Sequence, residues 1–175
     1  MIQKIEREVK QVSDSEDRFI ELISLCDKSI SERAIEAKVV VDEYYSWWTP
    51  SNKEVLNLRS LGEDVNTGVI APYLRCHKLN DKVYITWVTW PRKSLERRLK
   101  SNSTYSKQIV PLSRGYTIEQ LSRHCQPWEV ENVKETEGKL VLLRESIELL
   151  HKTKVNIKKM LRKLNKTKPI GNNHG

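Results

Sequence analysis

Apolar residues recur at alternating three- and four-residue steps near both ends of the chain, which predicts two long amphipathic helices. Eight of ten such positions are apolar in the first stretch, which comprises Ile2, Ile5, Val9, Val12, Glu16, Phe19, Ile23, Cys26, Ile30 and Arg33. Eight of ten are again apolar in the second stretch, which comprises Val133, Thr136, Leu140, Leu143, Ile147, Leu150, Lys154, Ile157, Leu161 and Leu164. Such a narrow stripe needs a partner helix to bury it.

We expect the two stripes to bury each other inside one chain, as two long antiparallel helices in a coiled-coil-like hairpin. The alternative is a stripe shared with a second copy, which would make a homodimer. The predicted arrangement is a single domain over 1–175, with a long helix at 1–46, an insertion at 47–126, a long helix at 127–168 and a tail at 169–175. The fold class is therefore α+β and mostly helical.

Between the helices the apolar period shortens to two residues, as in β-strands. Two segments rich in β-branched and aromatic residues, 69–76 and 82–90, predict an inserted β-hairpin. Pro72 has no N–H to donate, so the first strand should lie at an edge of the sheet or be bulged at this residue. A two-stranded hairpin is marginal by itself, so one of its faces should lie against the helices.

Capping residues mark where the remaining helices begin and end. Thr117 and Gln120 have the capping-box spacing, which predicts a short helix over 118–124. Pro127 suits the first position of the second long helix, and Pro169 follows its end.

The chain has 31 Lys and Arg against 23 Asp and Glu, a formal charge of +8. Residues 51–125 hold 13 cations against 6 anions and residues 126–175 hold 11 against 6, whereas residues 1–50 are net negative. This balance favours binding to nucleic acid or to an anionic membrane surface. No apolar run is long enough to cross a bilayer, and neither a signal peptide nor a disulfide framework is indicated. We therefore expect a cytoplasmic protein with no membrane partner.

A cluster of cations in the insertion, with two tryptophans beside it, is the candidate DNA-binding site. Cations on one face gain affinity from each counterion that the phosphates release, and Trp rings can stack on bases or wedge into a groove. The alternative is a solvated basic face over a core that contains both tryptophans. The predicted contacts, with double-stranded DNA as the expected partner, are Arg75, Lys82, Trp87, Trp90, Arg92, Lys93, Arg97, Arg98, Lys100, Lys107 and Arg114.

A second basic cluster lies near the end of the second long helix and comprises Lys158, Lys159, Arg162, Lys163 and Lys166. Cations there also stabilise the helix C-terminus through its dipole, and a basic run can bind anionic lipid, so phosphate contact is one of three interpretations. A further set of large residues, Trp47, Trp48 and Trp128, is interpreted as core that seals the end of the helix hairpin.

No constellation of residues indicates catalysis or a cofactor. Cys76-His77 and His124-Cys125 lack the spacing of a zinc site. Glu137-Gly138-Lys139 has the carboxylate-x-lysine order of metal-dependent nucleases, but it falls on a predicted helix without an upstream Asp partner. We therefore expect a protein that is not an enzyme and that uses no cofactor or metal.

The stretch from Tyr73 to Arg144 resembles the MobI-like conjugative mobilisation proteins of integrative elements and large plasmids. The resemblance lies in the order of Leu74-Arg75, Val83–Val88, an Arg/Lys-rich stretch, Tyr116-Thr117, Pro127–Val130, Glu135–Glu137 and Leu143-Arg144. It implies an accessory protein that recognises an origin of transfer and assists a separate relaxase in nicking DNA, with the relaxase or other transfer proteins as partners. The alternative, from the residues alone, is a non-enzymatic coiled-coil adaptor that binds another protein and whose basic charge is incidental.

Overall fold

The chain is mostly helical, with a small antiparallel sheet between its long helices in sequence. The structure is a computed structural model that describes residues 2–77, 82–91, 106–112 and 115–167, with side chains from residue 14 to residue 166. The elements in chain order are α1 (Ile2–Ser60), β1 (Ile70–Cys76), β2 (Val83–Thr89), β3 (Lys107–Gln108), α2 (Ile118–Ser122), a 3-10 turn (Pro127–Glu129) and α3 (Val130–Thr167). The predicted α+β, mostly helical class is confirmed.

Helix α1 continues through Pro50 to Ser60, whereas the sequence predicts an end at residue 46. Proline has no N–H and usually ends or kinks a helix. Here the side chain of Asn52 donates from Nδ2 to the carbonyl oxygen of Trp48, at 3.1 Å. Both of these side chains are buried, so tertiary packing holds the helix together across the proline.

Where their side chains are described, the members of the two predicted stripes are buried or half-buried, apart from Arg33. The fully buried members are Cys26 and Ile30 on α1, and Val133, Thr136, Leu140, Ile147 and Lys154 on α3. Arg33 is exposed, and beyond Ile30 the buried face of α1 continues instead through Ala37, Val41, Tyr44 and Trp48, which the predicted stripe did not include. Among the members whose side chains are described, the helical spacing of the two stripes is confirmed apart from Arg33.

The chain divides into two compact units. The terminal unit comprises residues 1–32 and 147–175, and the central unit comprises residues 33–146. In the terminal unit, the buried ammonium group of Lys154 on α3 forms an ion pair with Asp27 on α1. Burying a lone charge is costly, so this pair explains how a lysine occupies the apolar stripe.

In the central unit, a charged contact joins α1 to α3 and an aromatic contact joins α1 to the 3-10 turn that precedes α3. Lys139 Nζ lies 3.8 Å from Glu43 Oε2, and the ring centroids of Trp47 and Trp128 are 5.6 Å apart. Trp48 is fully buried and the other two tryptophans are half-buried, in keeping with their interpretation as core. A hairpin over the full length of both helices, a single domain and the alternative homodimer stay predictions.

Strands β1 and β2 pair in antiparallel fashion, from Ile70 opposite Thr89 to Cys76 opposite Val83, which confirms the predicted β-hairpin. The strand order is β1-β2-β3, so β1 lies at an edge, which is one of the two arrangements predicted from Pro72. The sequence did not indicate β3, because two residues carry no periodic signal.

Helix α2 begins where the capping spacing predicts. Thr117 Oγ1 accepts a hydrogen bond from the backbone N–H of Gln120, at 3.1 Å. The second half of the capping box is wrong, because the Gln120 side chain donates to the carbonyl of Val110 instead of reaching back.

Replacing Leu140 by Ala should lower the free energy of unfolding by about 2 to 5 kcal/mol, because this side chain is fully buried in the central unit. Leu142→Ala is the matched control, since it removes the same atoms from the same helix at a side chain that is 68 % exposed. The control should change stability by less than about 0.5 kcal/mol. Urea unfolding followed by circular dichroism measures both variants, and equal losses of stability would contradict the assigned buried face of α3.

Candidate nucleic-acid interface

The β1–β2 register divides the sheet into two chemically different faces. Because side chains alternate along a strand, Tyr73 and its partner Thr86 lie on one face together with Arg75 and its partner Tyr84. These side chains are exposed or half-buried. Trp87 points to the other face, where it is fully buried. One face therefore belongs to the core, whereas the part of the other face that carries Tyr73, Arg75 and Tyr84 is exposed.

The core face is attached to α3 through a buried carboxylate. The indole N–H of Trp87 donates to Glu137 Oε2 at 2.7 Å. Arg144 forms two hydrogen bonds to the same carboxylate, at 2.9 and 3.0 Å, and donates from Nε to the carbonyl of Ile85. Its guanidinium also lies 5.0 Å from the centroid of the Tyr116 ring. Strand β2 is thus fixed over α3, with the buried charge neutralised.

A second buried carboxylate, that of Glu129, joins α1 to β1 at the start of α3. Trp48 Nε1 donates to Glu129 Oε1 at 2.9 Å, and the backbone N–H of Gln126 donates to Oε2 at 2.8 Å. Backbone hydrogen bonds from Val69 and Ile70 also reach this carboxylate. Burial nevertheless dominates and raises the pKa of Glu129 to about 7, which the hydrogen bonds only partly oppose.

The chain approaches Glu129 so closely that only glycine fits at residue 68. A Cβ atom on Gly68 would overlap the Oε1 and Cδ atoms of the Glu129 carboxylate. The segment that leads into β1 therefore packs directly against the carboxylate, and the position of the strand relative to α1 is set there.

The open face of the sheet forms one wall of a groove of about 950 Å³, and the opposite wall is the stretch of α1 around Pro50. The floor is apolar, since Trp48 and Trp90 are buried and their rings lie 5.6 Å apart. The lining residues are Tyr45, Trp48, Thr49, Lys53, Tyr73, Arg75, His77, Tyr84, Thr86, Val88, Trp90, Ser106 and Gln108.

The lining of the groove is cationic and aromatic. Lys53 and Arg75 are exposed, and among the described lining residues there is no Asp or Glu. Lys82 Nζ lies 5.1 Å from the centroid of the Tyr84 ring, which brings a further cation beside the groove. Such a surface attracts anions, and planar groups can stack on its aromatic rings.

Residues 34–158 match the family model described as MobI protein, which is most of the chain and includes every residue that lines the groove. The chain belongs to the MobI protein family. The resemblance that the sequence showed is thus confirmed. No curated protein and no solved structure matches the chain. Within the described residues of this MobI protein, no helix is both long and apolar enough to span a membrane.

Two of the residues predicted to contact DNA have a different role in this MobI protein. Trp87 is 0 % exposed and Trp90 is 3 % exposed. A base could not stack on either ring without opening the core, because Trp87 is bonded to Glu137 and Trp90 packs on Trp48. Burial of both rings agrees with the alternative of a basic face over a core that contains both tryptophans, and their contact with DNA stays a prediction that requires this core to open.

Of the nine remaining predicted contacts, three lie in the described part of the chain. Arg75 lines the groove and Lys82 lies beside it. Lys107 on β3 is exposed, but it pairs with Thr89 and so lies on the same side of the sheet as Trp87, not on the side that lines the groove. Six of the predicted residues lie outside the described part of the chain and stay predictions: Arg92, Lys93, Arg97, Arg98, Lys100 and Arg114.

The second basic cluster is exposed on α3, in the terminal unit. At 3.6 residues per turn its five cations fall within an arc of about 140° of the helix surface. Ile157 and Leu161, in the apolar stripe, face away from this arc. The members of the arc are Lys158, Lys159, Arg162, Lys163 and Lys166. Its members therefore form one continuous positive surface along the helix.

Sequence reasoning missed Lys53, Tyr73 and Tyr84 as candidate site residues. Tyr73 lies two residues from Arg75, and Tyr84 lies two residues from Thr86. Residues two apart in a strand share a face, so the sequence could have placed each tyrosine on the same face as its neighbour. Lys53 had no such signal, because it follows Pro50, where the sequence predicts that the helix has already ended.

The raised pKa of Glu129 predicts that stability falls as pH rises. The carboxyl has an ordinary pKa of 4.5 when unfolded and about 7 when folded, so the folded chain binds more protons between these values. This contribution is fully present below pH 4.5 and is lost as pH rises through 7, at up to about 1.4 kcal/mol per pH unit. Glu129→Gln cannot titrate and should lack that slope, whatever its absolute stability. Urea unfolding at several pH values measures both proteins, and identical slopes would refute this assignment.

Proposed function

We propose that this MobI protein is a DNA-binding accessory factor in conjugative mobilisation, which recognises an origin of transfer and assists a separate relaxase. Membership of the MobI family supports a mobilisation-related role for an accessory protein. The observation that carries DNA binding is the groove, whose described lining is basic and holds no carboxylate. Neither line of support requires a catalytic residue in this chain.

The distribution of charge within the central unit supports this proposal. The core face of the sheet holds the buried carboxylate of Glu137, which is satisfied by Trp87 and Arg144. The open face carries Arg75, and Lys53 faces it from α1. A phosphate entering the groove would meet Arg75 and Lys53 and, among the described lining residues, no carboxylate, which favours association.

The Arg/Lys-rich stretch adds to the proposed DNA contacts. It follows Trp90 and precedes Ser106 in the chain, and both of these residues line the groove. The proposed phosphate contacts in this stretch are Arg92, Lys93, Arg97 and Arg98. The exposed arc on α3 is a second proposed phosphate-binding surface, with Lys158 its first member. Phosphate contacts supply affinity and orientation, whereas recognition of a particular origin requires contacts to bases.

Replacing Arg92, Lys93, Arg97 and Arg98 together by Ala should weaken binding to duplex origin DNA. The slope of log affinity against log salt should fall by about 0.9 for each of these side chains that binds a phosphate in the parent. Fluorescence anisotropy with a labelled duplex at several salt concentrations measures both quantities. A thermal melt by circular dichroism verifies that the variant folds.

The matched control replaces four exposed lysines that each lie within 4 Å of a helix carboxylate, namely Lys38, Lys134, Lys139 and Lys152. This control lowers the net charge by the same four units as the first variant, but the lysines that it removes are already partly neutralised by their neighbouring carboxylates. Parent-like affinity and slope in the control, with weaker binding in the first variant, would support the proposal. A parent that binds no DNA at low salt would refute DNA binding and favour the adaptor alternative.

A further inference from the structure

We propose that the groove binds one unpaired DNA strand, with bases stacked on Tyr73 and Tyr84 and phosphates facing Arg75 and Lys53. This inference rests on the proposed DNA-binding function and names the form of DNA that this site takes. It concerns only the groove, since the exposed arc on α3 offers cations but no aromatic ring within its set.

The two tyrosines form an exposed aromatic platform. Tyr73 is 49 % exposed and Tyr84 is 37 % exposed, whereas the other described aromatic side chains of the central unit are buried or half-buried. They lie on adjacent strands and on the same face, in the diagonal relation set by the Tyr73–Thr86 and Arg75–Tyr84 pairs. Diagonal neighbours in an antiparallel sheet are about 7 to 8 Å apart, so two bases of one strand can each meet a ring.

Ring stacking selects an unpaired strand over a duplex. In duplex DNA each base is covered by its neighbours in the stack and presents only its edges in the grooves. An exposed aromatic ring on a sheet can cover a base only when that base is unpaired and splayed out. A duplex bound by the cations alone would leave Tyr73 and Tyr84 without a role.

Polar groups around the platform match the edges of bases and the backbone of a single strand. Thr49 and Gln108 line the groove and can both donate and accept hydrogen bonds. Arg75 lies directly opposite Tyr84 in the register, so a cation stands beside a stacking ring. Together with Lys53 on the facing helix, this places positive charge on both sides of the platform.

The test is fluorescence anisotropy with a labelled 12-nucleotide thymidine strand and with a labelled 12-base-pair duplex. Tyr73→Ala combined with Tyr84→Ala should weaken binding of the single strand at least about tenfold, because both stacking partners are removed. The salt slope should stay unchanged, since every cation remains. Tyr73→Phe combined with Tyr84→Phe keeps both rings and should bind within about threefold of the parent. Both tyrosines are exposed, and circular dichroism melts verify that both variants fold.

A second variant tests the phosphate contacts. Arg75→Ala combined with Lys53→Ala should lower the salt slope for the single strand by about 0.7 for each phosphate that the two side chains neutralise in the parent. Lys38→Ala combined with Lys134→Ala removes the same charge outside the groove and should leave that slope unchanged.

The outcomes separate this inference from the proposed function. If the parent binds the duplex but not the single strand, or if the Ala and Phe variants bind the single strand equally well, the inference is overturned while DNA binding stands. If the parent binds neither, the proposed function fails and the inference fails with it. Loss of single-strand binding in the Ala variant, with duplex binding retained, supports both.

Discussion

The architecture of the central unit depends on two glutamates whose buried carboxylates are satisfied by hydrogen bonds. Glu129 and Glu137 each accept the indole N–H of a tryptophan, from Trp48 on α1 and from Trp87 on β2 respectively. A buried carboxylate is costly unless hydrogen bonds or a counter-charge satisfy it, and few arrangements of the chain bring the required donors together. These bonds therefore specify which face of the sheet meets the helices.

An open sheet face follows from that attachment. A sheet of three short strands gains its stability from packing on one side, and here α3 provides that packing through Glu137 and Arg144. The other face need not be apolar, so polar, aromatic and cationic side chains can occupy it without loss of stability. Arg75 and Tyr73 stand on a support whose rigidity comes from the opposite side, which is how a binding surface is pre-organised.

Much of the secondary structure could be predicted, because periodicity reports which positions are buried. The predictions failed where tertiary contacts override local preferences. Pro50 should end α1 by local rules, but burial of Trp48 and Asn52 overrides them. The candidate site was predicted only in part, because composition showed the cations and tryptophans without showing which strand face is solvated. Trp87 was therefore assigned to DNA when its donor N–H belongs to a buried carboxylate.

The family match separates the two proposed DNA surfaces. It ends at residue 158, so the groove lies wholly inside the matched region, whereas four of the five cations of the exposed arc lie beyond it. A row of helix cations adds salt-dependent affinity for any DNA and carries no information about sequence. Aromatic rings and hydrogen-bonding groups in a groove bind paired and unpaired bases with different affinity. Discrimination between forms of DNA would then belong to the region shared with the family, and the arc would raise affinity without changing which DNA is preferred.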